Sequence, residues 1–137
     1  MSMDFENEVG TTSCTVFFWG QLLALAKMYG WRPAGTLAPK NWSEEEEGRS
    51  WGGDYISNSG QVVTAADATK LANALQRCLD DIPEHYAAGH KAHKDDDGNP
   101  WIPEGAKVSP FEALSGENKP AVKEFITFFQ QGAFVIY

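Results

Sequence analysis

The stretch "DYISNSGQVVTAADATKLANALQRCLDDIP" (residues 54–83) carries a turn signal followed at once by a helical period. Asn58-Ser59-Gly60 supplies turn chemistry between two short arms, Tyr55-Ile56 and Val62-Val63, which predicts a β-hairpin over 54–64. From Thr64 onward the period changes. Ala68, Leu71, Leu75, Cys78, Leu79 and Ile82 form one apolar stripe, with Lys70, Asn73, Arg77 and Asp81 on other faces. Thr64 caps this helix, and Asp67 is expected to reach back as an acidic variant of a capping box. Pro83 stops it.

A helix is also expected over Thr15–Tyr29. Ser13 or Thr15 is placed to cap it, and Gly30 to end it in a left-handed turn. Phe18, Leu22, Leu25 and Tyr29 share a face, while Val16, Trp19, Leu23 and Ala26 extend the apolar surface around most of the remainder. A helix of that kind is central to a core or shared with a partner. A third helix is predicted over 119–131, with Asn118 as cap, Gly132 as terminator, and Val122, Phe125, Ile126 and Phe129 facing inward. "AFVIY" (133–137) reads as a terminal strand that should pair with the 54–64 hairpin. Pro33, Gly35 and Pro39 forbid regular structure in "GWRPAGTLAPKNW", and "SEEEEGRSWGG" reads as a charged solvent-facing loop. Residues 84–116, with four Gly and three Pro, form a long irregular segment. Residues 1–10 are acidic and aperiodic, and are expected to be a mobile tail. The expected fold class is therefore α+β. About three helices pack on a small, mainly antiparallel sheet, in one domain over 11–137.

Composition narrows the function classes. The 137 residues include 19 acidic and 11 basic side chains, for a net charge of −8. That field repels phosphate backbones and anionic lipid, so neither a nucleic acid nor a membrane surface is an expected partner. No basic start followed by an apolar run opens the chain, so a cytoplasmic location is expected. In that compartment Cys14 and Cys78 are expected to be buried thiols rather than a disulfide.

The segment "HKDDDGNPWIPE" (93–104) resembles a calcium loop in spacing. Asp95, Asp97, Gly98 and Glu104 occupy its third, fifth, sixth and twelfth positions. His93 in the first position is a poor ligand for a hard cation. Pro100 has no N–H where a sister loop would pair, and Pro103 obstructs an exiting helix. The expected reading is a solvated acidic turn. His85, His90 and His93 with Asp95–Asp97 could ligate a transition metal, but their spacing matches no metal motif. A Cys78–His85 nucleophile pair has nothing to orient it. No phosphate loop or serine elbow is present, and Glu44–Glu47 reads as a solvated run. No cofactor is implied.

The aromatic residues are the remaining signal. Trp31, Trp42, Trp51 and Tyr55 fall within 25 residues, beside Arg32, Asn41, Asp54 and Asn58. Loop tryptophans among polar neighbours either form a contact surface or plug irregular chain onto the core. The arrangement "YGWRPAGT…W…Y…N.GQ.VT..DA..LA.AL" resembles small bacterial proteins of uncharacterised function, over roughly 15–80, with an echo in "FITFFQQGAFVIY". The resemblance implies a stand-alone bacterial α+β domain and assigns no functional residue. The expected function is a non-catalytic binding or interaction protein, of an accessory or immunity type, contacting a protein or small molecule through Trp31, Arg32, Trp42, Trp51, Asp54, Tyr55 and Asn58. The runner-up is a small enzyme or ligand-binding domain using that region or the His/Asp loop 85–97. The surplus apolar surface of the first helix predicts an at least weakly dimeric chain. Calorimetric titration with calcium should show no binding at physiological concentration. A micromolar dissociation constant lost in Asp97→Ala would overturn the acidic-turn reading.

Overall fold

The computed structural model describes residues 2–82 and 113–137, together with the backbone of 93–94 and 100–101. The fold is α+β. Strands β1 (Ser2–Glu6) and β2 (Thr11–Thr15) form an antiparallel hairpin that runs directly into helix α1 (Val16–Met28). A single helical turn, α2 (Glu44–Glu47), precedes β3 (Gln61–Val63) and the helix α3 (Ala65–Cys78). The two-residue strands β4 (His93–Lys94) and β5 (Pro100–Trp101) pair with each other. Helix α4 (Lys119–Gln130) and strand β6 (Phe134–Ile136) end the chain. The main sheet has the order β2-β1-β6-β3 and every pairing in it is antiparallel.

Residues 2–10 are not a tail. In "SMDFE" Met3 and Phe5 point into the core while Ser2, Asp4 and Glu6 face solvent, the period-two pattern of a half-buried strand. Asn7 closes the hairpin, its Oδ1 accepting from the backbone N–H of Val9 (2.8 Å) and Gly10 (2.9 Å). The acidity that suggested a tail is the outer face of an internal strand.

The 54–64 hairpin is likewise corrected. Only 61–63 is a strand, and it pairs with β6 through Val62↔Val135 and its neighbours. The expected first arm curls instead, because the Asp54 carboxyl accepts from the backbone N–H of Ile56 (2.8 Å) and Ser57 (3.0 Å). The other edge of β3 is closed by Leu37, which exchanges both backbone hydrogen bonds with Val62. The 3-10 turn over 79–81 follows α3 as the chain approaches Pro83.

One face of the sheet carries the core. Met3, Phe5, Val63, Phe134 and Ile136 are buried and meet Trp19, Leu22 and Leu25 of α1, Leu71 and Leu75 of α3, and Phe125 and Phe129 of α4. Phe5 is the aromatic hub, with ring centroids 4.7 Å from Trp19, 5.8 Å from Phe125 and 5.9 Å from Phe134. The helices start as their caps dictate. Thr15 Oγ1 accepts from Phe18 N–H at 3.1 Å and Thr64 Oγ1 from Asp67 N–H at 3.2 Å. Gly30 leaves α1 at φ 94°, a conformation open to glycine at no steric cost. Asn118 makes no capping bond. Its amide instead donates to the carbonyl of Ala113.

Leu75→Ala should destabilise the fold by about 2–5 kcal/mol and Phe5→Ala by about 3–5 kcal/mol, read from urea denaturation. An unchanged midpoint for Phe5→Ala would return the first residues to the status of a tail.

Candidate functional site

The chain between α1 and β3 (residues 30–60) is irregular, and its shape follows from where its polar groups find partners. Asp67, 1 % exposed, sits in the first turn of α3. Its side chain does not reach back to Thr64 as a capping box would. One carboxyl oxygen accepts the Trp31 indole N–H at 3.0 Å, and the other accepts the Tyr55 hydroxyl. Tyr55 in turn accepts from the backbone N–H of Gly35 at 2.9 Å through its hydroxyl oxygen, and from the Trp19 indole at 2.8 Å through its carbonyl. The Trp31 and Tyr55 rings meet edge-on, 5.4 Å apart. Trp31 and Tyr55 are thus structural plugs. Placing them on a contact surface is corrected by burial: their polar atoms are committed inside the protein.

Asp54 and Asn58 also hold the chain locally. Asp54 forms the turn already described, and its carboxyl lies below its ordinary range because those backbone N–H groups favour the ionised form over the opposing effect of burial. Asn58 donates to the Ser2 carbonyl at 3.1 Å. Beneath them Gln61 is fully buried, its amide donating to the carbonyls of Asp54 and Ser57 and accepting from Ser59 N–H. Gly53 approaches Gly35 so closely that a Cβ there would stand 3.2 Å from the Gly35 Cα.

What faces outward is a smaller set. Trp42 and Trp51 are half-buried and stack edge-to-face with centroids 4.9 Å apart. The Trp51 indole N–H is anchored on Thr36, 3.1 Å from its carbonyl and 3.0 Å from its hydroxyl. The Arg49 guanidinium lies 5.4 Å from the Trp42 ring centroid, over its face. The Trp42 indole N–H is buried with no acceptor among the described residues. The α2 turn beside this pair exposes Glu44 to Glu47, capped by Ser43. Arg32 is exposed but belongs to a different cleft, with Lys70, Asn73 and Arg77 of α3. The expected seven-residue cluster therefore separates into an interior network, a tryptophan face and a basic cleft.

The weaker candidates resolve in part. Cys78 is buried and its thiol donates to the Leu75 carbonyl. Burial pushes its pKa up to about 11 and that of half-buried Cys14 up to about 12, so both stay protonated and unreactive at neutral pH. The side chains of His85, His90, His93, Asp95, Asp97 and Glu104 lie outside the described residues, as do most of the backbone positions of that segment. Among the described residues no three His, Cys, Asp or Glu side chains group as metal ligands, and no helix is long and apolar enough to cross a membrane. No protein-family model, curated protein or solved structure matches the chain.

The sequence pattern missed Asp67, Arg49 and the α3 cations. Thr64-x-x-Asp67 reads locally as a cap, and the true partner, Trp31, is 36 residues away.

Tyr55→Phe should cost about 1–3 kcal/mol at neutral pH, since it leaves an Asp67 oxygen and the Gly35 N–H unpaired. Burial and the Asp67 bond raise the Tyr55 phenol above its ordinary 10.0. A raised folded-state pKa contributes stability in full below the unfolded value and loses it as pH rises through the folded one. Stability should thus fall above about pH 10 on account of Tyr55, and Tyr55→Phe should flatten that share of the alkaline decline. The two thiols act in the same direction from 9.0 upward and remain in the variant. An alkaline profile unaltered by the substitution would remove Tyr55 from the network.

Proposed function

We propose that the chain is a non-catalytic binding module of the accessory or immunity type, acting in the cytoplasm, and that it meets a protein partner through the Trp42–Trp51–Arg49 face. The observation that carries this reading is the half-buried, edge-to-face tryptophan pair with Arg49 over Trp42. Tryptophan and arginine are the side chains that most often dominate binding energy. Thr36 holds Trp51 in place, so little ordering cost is left for association. The exposed Glu44–Glu47 turn sets the rim negative, which favours a partner with basic groups. The buried, protonated thiols favour binding over thiol chemistry.

Self-association is a second part of the proposal, carried by a separate face. On α1 Phe17 is 44 % and Met28 58 % exposed, and their spacing of eleven sets them three turns apart on one side of the helix. A pair of such faces crossing on a two-fold axis would cover both residues.

Native mass spectrometry of untagged protein tests both readings. The expected spectrum shows a bound basic protein that Trp42→Ala with Trp51→Ala removes from a chain that stays folded, and a dimer that Phe17→Ser with Met28→Ser returns to monomer. A small molecule bound in place of a protein and lost in the tryptophan variant, or a partner retained by that variant, would overturn the interaction reading. A monomer at high micromolar concentration would sink self-association.

A further inference from the structure

The cleft that holds Arg32 lies between the end of α1 and the outer face of α3. It encloses about 300 Å³ and is lined by Gly30, Trp31, Arg32, Lys70, Asn73 and Arg77. Lys70, Asn73 and Arg77 are spaced by three and four residues, so they follow one face of α3 for two turns, about 10 Å. Arg32 faces them from the loop. Three of the chain's 11 cations thus converge on one concavity of a protein with net charge −8, and among the described residues no carboxylate lines it. Two acids of the same helical region are engaged elsewhere: Asp67 by Trp31 and Tyr55, Asp81 by the Tyr29 hydroxyl.

Internal structure accounts for one of these cations. Arg77 Nη2 donates to the Tyr29 carbonyl at 2.7 Å, which fixes the guanidinium and leaves its other N–H groups free to turn toward the cleft. Gly30, at φ 94°, leaves that side of the cleft without a side chain; a Cβ there would stand 3.8 Å from Arg77 Nη2. Arg32 and Lys70 make no hydrogen bond or ion pair among the described residues.

We propose that this cleft binds a small soluble phosphate monoester. The two guanidinium groups supply forked donors to the phosphoryl oxygens, Lys70 supplies a point charge, and the Asn73 amide can donate to an ester or hydroxyl oxygen. A carboxylate needs one guanidinium, whereas three convergent cations match a dianion. The volume exceeds that of a phosphate group alone and leaves room for an attached moiety beside Gly30 and Trp31. A polyanion does not fit, because the surrounding field is negative and the cations form one cleft rather than a track. The inference does not rest on the partner-binding face, which is built from other residues.

Calorimetry of the full chain at low salt tests it, with inorganic phosphate and glycerol phosphate as probes and vesicles carrying a phosphomonoester lipid as a separate arm. Saturable binding of both soluble probes is expected, weakening as sodium chloride is added. Arg32→Gln and Lys70→Gln, which break no hydrogen bond or ion pair among the described residues, should each weaken it by about tenfold with an unchanged unfolding midpoint. Trp42→Ala with Trp51→Ala should leave it intact. Absence of saturable binding to either soluble probe, binding confined to vesicles, or affinity unchanged in the Arg32→Gln/Lys70→Gln double variant would overturn the proposal.

Discussion

Asp67 places a carboxyl group in the interior at the start of α3, and the path of the preceding loop follows from the need to satisfy it. Both of its oxygens are used, one by Trp31 and one by Tyr55. Tyr55 in turn supplies the acceptor that the fully buried Trp19 indole requires. Lifting the loop would orphan the Trp19, Trp31 and Tyr55 donors together, at about 1–3 kcal/mol for each that stays buried. Its position in the first turn of α3 also sets the acid at the favourable end of the helix dipole. The long irregular connection is tied to the core by these bonds, although it contains almost no regular structure.

That constraint sorts the loop by direction. Residues whose polar atoms point inward become scaffold, and those left over form the surface. Thr36 is where the two meet, since its hydroxyl donates to the Asp54 carbonyl at 2.7 Å and accepts from the Trp51 indole. The outer tryptophan pair is therefore set by the same ties that seal the inner one. A rigid aromatic face on an anchored loop suits binding, because ordering has been completed on folding. It also explains why Gly35 and Gly53 are needed so close together: any side chain at Gly53 would push apart the two strands of loop that carry Thr36 and Asp54.

How much of this could be read in the sequence depends on the range of the interaction. Helices α3 and α4 were legible because an apolar stripe at helical spacing records burial along a single element, and Thr15, Thr64 and Gly30 act on groups within four residues. Strand β6 and its pairing with residues near 62 were legible from its apolarity. Strand β1 was not, because Asp4, Glu6 and Glu8 dominate a short segment whose only burial signal is Met3 and Phe5. The 54–64 hairpin failed for a local reason that a pattern does not weigh. Asp54 binds the next two N–H groups and turns the chain before an arm can extend. The candidate site was legible as a cluster of residue types but not as a geometry. Nothing in "WRPAGT" says that Trp31 turns toward Asp67 while its neighbour Arg32 turns away.

The same separation of scale governs the charge. A net charge of −8 argues against a polyanion, because a long ligand samples the field of the whole surface. A small anion samples only its neighbours, within a screening length of about 8 Å at physiological ionic strength. Within that range the cleft between α1 and α3 presents Arg32, Lys70 and Arg77, while Asp67 and Asp81 are turned to other partners. Overall acidity and a local preference for an anion are compatible. The acidic surroundings would further act as a filter, since they oppose any ligand whose negative charge extends beyond the cleft.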